Sequence, residues 1–69
     1  MNCTIIATEE ELMLIGINPL MVNLTGKWLK DYPDGFSLVS FSAHDVIPYL
    51  ATSKYGVEYD IPKKWLKFE

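Results

Sequence analysis

The sequence predicts a small α/β (α+β) domain, a single-layer sheet of three to four short strands packed with two to three helices. A β-α-β unit over residues 36–61 is its expected centre. Three observations carry that expectation. Phe36 to Phe41 is a β-branched and aromatic run between turn residues. Val46 to Tyr55 repeats apolar residues at helical spacing and stops at Gly56. Val57, Tyr59 and Ile61 then alternate with Glu58 and Asp60, the period of a strand with one wet face. Residues 42–56 are long enough for a right-handed parallel crossover.

In chain order, residues 2–7 read as a first strand, with Cys3, Ile5 and Ala7 on one face. Thr8 followed by Glu11 matches a capping box: the hydroxyl takes one free helix N–H and the carboxylate returns to another. Glu9, Glu10 and Glu11 fill the first turn, where the helix dipole favours negative charge by about 0.3–1 kcal/mol each. The helix continues through Leu12 to Ile15 and stops at Gly16. Asn18-Pro19 opens a second helix, Asn as cap and Pro in the first turn, running to about Asp31. Leu20, Met21, Leu24 and Trp28 share one face of it, and Gly26 interrupts it. The competing reading ends the helix at Thr25-Gly26. Lys27 to Tyr32 is then a strand turning through Tyr32-Pro33-Asp34-Gly35 into Phe36.

In the strand 36–41, Phe36 and Leu38 point one way and Val39 and Phe41 the other, as in a central strand covered on both sides. Asp45 caps the following helix, which leaves Pro48 at its third position, where no hydrogen bond is lost. The end, KKWLKFE, reads either as a strand with Leu66 and Phe68 inward or as a short helix pairing Trp65 with Phe68.

The 69 residues make one compact domain, 1–69. A composition 49% hydrophobic, with nine aromatics and four Gly, argues against disorder. Cys3 is the sole cysteine, so no internal disulfide forms and a reducing compartment follows. No apolar run reaches the roughly 20 residues of a membrane span, and the N-terminus lacks a signal-peptide pattern. A cytoplasmic, intracellular protein is expected. The net charge of −3 comes from Glu9, Glu10 and Glu11, because the acids and lysines of residues 27–69 cancel. All six basic residues are Lys. Without arginine, conventional nucleic-acid binding is disfavoured.

Catalysis finds no apparatus here. Cys3, His44 and Asp45 name a nucleophile, base and orienter, but adjacent His and Asp side chains diverge and Cys3 sits in an expected buried strand. One His and one Cys cannot close a zinc site. Asp31, Asp34 and Gly35 lack the other ligands of a calcium loop, and no glycine-rich phosphate loop occurs. The expectation is therefore no enzyme and no cofactor.

What remains is aromatic and basic. Trp and Tyr dominate interface energetics, with scattered Lys and Glu at the rim. Tyr49, Tyr55, Tyr59 and Trp65 are the candidate anchors, with Lys63, Lys64, Glu9, Glu10 and Glu11 around them. The expected function is a protein-binding inhibitor or adaptor, alone or as a homo-oligomer. Its size is that of phage or mobile-element accessory proteins that act on a host factor. The alternatives are a single-stranded nucleic-acid binder working through Lys-Trp-Leu-Lys at 27–30 and 64–67, or an acidic nucleic-acid mimic led by Glu9 to Glu11.

Overall fold

The computed structural model describes residues 1–42 and 57–69. Strands β1 (Asn2–Ile5), β2 (Thr25–Asp31), β3 (Phe36–Phe41), β4 (Val57–Pro62) and β5 (Leu66–Phe68) form one sheet in the order β4-β3-β2-β1-β5. Every pairing is antiparallel. One α-helix, α1 (Glu9–Leu14), and two 3₁₀ turns, Pro19–Met21 and Lys63–Trp65, complete the elements of the described residues. Among the described residues, the expected sheet packed with two to three helices is therefore replaced by a five-stranded antiparallel sheet with one short helix.

The β-α-β unit is the largest correction. β4 runs antiparallel to β3, with Phe36 opposite Pro62 and Phe41 opposite Val57. A link of this length serves a returning connection as well as a crossover. The alternation Val-Glu-Tyr-Asp-Ile carried the opposite message. Glu58 and Asp60 are exposed while Ile61 is buried, and a half-solvated strand belongs to an antiparallel sheet. The helix expected at 46–55, with Asp45 and Pro48, lies outside the described residues, as does His44.

The second correction concerns residues 18–31. Asn18 caps through its Oδ1, which accepts from Leu20 N–H at 2.9 Å, but the turn it starts ends at Met21. Asn23 then takes a left-handed conformation (φ 67°), and the chain enters β2. Gly26 lies where β2 crosses Phe41: a Cβ there would sit 2.8 Å from the Phe41 ring and from the Ser40 carbonyl oxygen. It marks a close approach between strands, not a defect in a helix. The hairpin reading is the one observed. Tyr32 N–H donates to the Phe36 carbonyl at 2.7 Å, Gly35 N–H donates to Tyr32 at 3.3 Å, and Gly35 holds φ 90°.

The start of the chain follows local chemistry. Thr8 N–H donates to Glu11 Oε1 at 2.9 Å and Glu11 N–H to Thr8 Oγ1 at 3.2 Å, which completes the capping box. Gly16 follows with φ 77°. At the other end KKWLKFE opens with a 3₁₀ turn over Lys63–Trp65 and then runs as a strand with Leu66 buried and Phe68 half-buried.

β4 and β5 are opposite edges, yet only Lys63–Trp65 joins them. Flat, five strands at about 4.8 Å spacing would separate the edges by about 19 Å. A 3₁₀ turn advances about 2 Å per residue. The sheet must therefore roll until its edges approach. Lys63 N–H donates to the Gly35 carbonyl (2.9 Å) and Ile6 N–H to the Trp65 carbonyl (2.8 Å), so the link crosses from the β2–β3 turn to β1. Inside the roll, Cys3, Ile5, Val39, Phe41, Ile61 and Leu66 are buried, with Leu12, Ile17 and Met21 of the helical segment against them.

Candidate functional site

Alternation sorts the strand residues into a buried and an outer side. On β3, Ser37, Val39 and Phe41 are buried while Phe36, Leu38 and Ser40 are half-buried. Register places Phe36 beside Pro62 and Leu38 beside Asp60 on the outer side. The tight turn 32–35 brings Tyr32 and Asp34 to the same end. Two adjoining hollows result. One, of about 370 Å³, is lined by Tyr32, Asp34, Phe36 and Asp60. The other, of about 490 Å³, is lined by Asp34, Gly35, Phe36, Pro62, Lys64 and Trp65. Asp34 and Phe36 belong to both, so together they form one groove around the Phe36 ring.

The Tyr32 lobe is acidic. Burial, then the Asp60 charge and its hydrogen bond, then Glu58 and Asp34, push the Tyr32 phenol above its ordinary value of 10.0. Asp34 is held by its own turn, its Oδ1 accepting from Phe36 N–H at 3.2 Å. Lys30 lays its ammonium 5.0 Å from the centre of the Tyr32 ring. In the other lobe Lys64 sits 5.7 Å from the Trp65 ring centre. The groove thus offers three half-buried rings and a proline, acidic at one end and of mixed charge, Asp34 with Lys64, at the other.

Beneath it, Asp31 fixes the two walls relative to each other. The register of β2 slips between Trp28 and Lys30, so that Trp28 faces Val39 and Asp31 faces Ser37. Without that slip, residues three apart would lie on opposite faces. Asp31 Oδ1 accepts from Trp28 Nε1 (2.9 Å) and Ser37 Oγ (2.7 Å), and Oδ2 from Lys63 Nζ (2.8 Å). The Lys63 hydrogen bond first, then those of Ser37 and Trp28, lower its carboxyl from 3.8 to about 2. One carboxylate therefore ties β2, β3 and the β4–β5 link together.

The residues singled out from the sequence fare differently. Trp65 and Lys64 line the groove. Lys63 pairs with Asp31 and lies 5.6 Å from the Phe68 ring, so it serves the fold. Tyr59 is half-buried edge-on against Phe41, centroids 5.9 Å apart, and burial raises its phenol. Glu9, Glu10 and Glu11 stand on the first turn of α1, away from these rings in sequence, with Glu11 engaged in the cap. Tyr49 and Tyr55 lie outside the described residues. Cys3 is wholly buried, and burial pushes its thiol up from 9.0.

Sequence reasoning missed Asp34, Phe36, Asp60 and Pro62 as contact residues. The preferred helix to Asp31 concealed them; the alternative hairpin would have placed Tyr32, Asp34 and Phe36 together. It also missed an apolar surface on the helical segment. Leu14 is 83% exposed, and Met13 and Leu20 are exposed beside it in the chain segment. Leu12 to Ile15 are four consecutive apolar residues, which a helix cannot all turn inward.

Among the described residues no group of three His, Cys, Asp or Glu is placed to hold a metal ion, and no helix is long and apolar enough to cross a membrane. No protein-family model matches this chain, and no curated protein or solved structure is significantly similar to it.

Proposed function

We propose that this chain is a non-enzymatic protein-binding module, an inhibitor or adaptor, and that the groove around Phe36 is its contact surface. The observation that supports this most is the convergence of Tyr32, Phe36, Pro62 and Trp65 on one face. Half-exposed aromatics above a fixed scaffold are the usual anchors of protein recognition, because a ring delivers large contact area at low entropy cost. An intracellular site of action goes with this reading, supported by a single cysteine left free and buried.

Single-stranded nucleic acid is the second reading, and the lysine ammoniums set beside Tyr32 and Trp65 favour it. The carboxylates of Asp34 and Asp60 in the same groove work against a phosphate backbone.

Affinity capture with the tagged chain, quantified by mass spectrometry, tests the proposal. A partner protein held by the wild type should fall roughly tenfold or more with Trp65→Ser, the range of an interface anchor. Asp34→Lys, on the exposed rim, should cut it as well, with the circular-dichroism melt lowered only by the lost turn hydrogen bond from Phe36 N–H. Equal recovery by both folded variants would dismiss the groove as the contact surface. Capture dominated by nucleic acid and lost steeply with salt would favour the second reading.

A further inference from the structure

The two lobes of the groove differ in charge, and that difference selects what can enter the smaller one. Among the described residues, three carboxylates, Asp34, Glu58 and Asp60, act on Tyr32, and the ammonium of Lys30 lies over its ring. Lys63 is paired with Asp31, not with any of these three acids, in the ion pair at 2.8 Å. The lobe is also walled by rings, Tyr32 and Phe36, and its volume of about 370 Å³ is that of a small-ligand pocket. Carboxylates at the rim and aromatic faces in the wall together select a flat, delocalised cation. The chain's own Lys30, drawn to within 5.0 Å of the Tyr32 ring centre, shows the ring's pull on positive charge.

We infer that the lobe bounded by Tyr32, Asp34, Phe36 and Asp60 receives an arginine side chain from the partner protein. This rests on the reading of the groove as a protein-contact surface. The guanidinium stacks on an aromatic wall and donates to Asp34 and Asp60, while apolar neighbours in the same segment cover Phe36, Pro62 and Trp65. Arginine fits better than lysine because its plane can stack while its N–H fork addresses two carboxylates at once. A second copy of this chain cannot supply the group, since all six of its basic residues are lysines. Lys30 competes for Tyr32 from within the chain, so its removal should strengthen the interaction.

The test uses the full chain and three fluorescein-labelled heptapeptides, Gly-Pro-Leu-X-Leu-Pro-Gly, with X as arginine, lysine or the neutral isostere citrulline. Fluorescence anisotropy gives affinity, and ¹H–¹⁵N spectra give location. The arginine peptide should bind about tenfold more tightly than the citrulline peptide, a difference of about 1.4 kcal/mol. Its shifts should centre on Tyr32, Asp34, Phe36 and Asp60. Asp60→Asn should remove most of that preference, and Lys30→Met should raise the affinity for the arginine peptide. This opposite-signed pair keeps the result readable if one variant perturbs the fold. Equal binding of arginine and citrulline peptides, shifts centred elsewhere, or weaker binding by Lys30→Met would overturn the inference. So would equal binding of the lysine peptide, which a second copy could imitate. So too would an oligothymidine that displaces the arginine peptide from these residues. If Trp65→Ser still releases the captured protein while arginine and citrulline peptides bind alike, only this inference falls and the contact surface stands.

Discussion

At the scale of single residues, Asp31 holds more of the structure than any other charged side chain described. Its three donors lie on β2, β3 and the β4–β5 link. A carboxylate whose folded-state value is about 2, below the ordinary 3.8, contributes stability that is fully present above 3.8. That contribution drains away as pH falls from there through about 2. Thermal melts across that range should show the wild type losing stability faster than Asp31→Asn, which lacks the titrating group. Parallel curves would remove Asp31 from the account. Cys3 gives a second residue-level expectation. Buried and with its thiol raised, it should resist iodoacetamide in the folded chain and react readily in guanidinium. Rapid labelling of the native protein would contradict its burial. The Thr8–Glu11 cap was legible in the sequence because its partners are neighbours. The Lys63–Asp31 pair was not, since its partners are 32 residues apart and only the rolled sheet joins them.

Elements were legible where one pattern dominated. β1, α1 and β3 follow from alternation, a capping box and a β-branched run. Residues 18–31 misled because Leu20, Met21, Leu24 and Trp28 share a helical face, and spacing cannot show that Asn23 turns left-handed. Gly26 was the informative residue, costly in a helix and required in a strand pressed on Phe41. Gly26→Ala should therefore destabilise by about 1–3 kcal/mol, the usual cost of forcing atoms into a packed site. A chemical-denaturation midpoint equal to wild type would show that β2 does not pass Phe41 so closely. At the first helix, Thr8→Ala should cost about 1 kcal/mol by removing the hydroxyl acceptor. It should leave the groove residues' amide shifts in place, because the hydroxyl's hydrogen bond is made within the cap, from Glu11 N–H.

For the molecule as a whole, composition supplied the apolar residues of the core but did not show how the strands are ordered. Strand order depends on which edges meet, and here a three-residue link decides that by forcing opposite edges together. The same closure builds the groove, for it carries Pro62, Lys64 and Trp65 to the β2–β3 turn. Of the contact residues expected from the sequence, Trp65 and Lys64 therefore remain in the proposed surface because of the link. Lys63 pairs with Asp31, and Tyr59 is set against Phe41 by the β3–β4 register. The central claim is that a partner protein covers Phe36. A photo-crosslinking amino acid placed at position 36, and separately at position 10 on the first turn of α1, measures this directly in cells that express the chain. The account predicts one discrete crosslinked protein from position 36, weakened by Asp34→Lys, and little from position 10. Crosslinks from position 10 alone, or the same products from both positions, would contradict it.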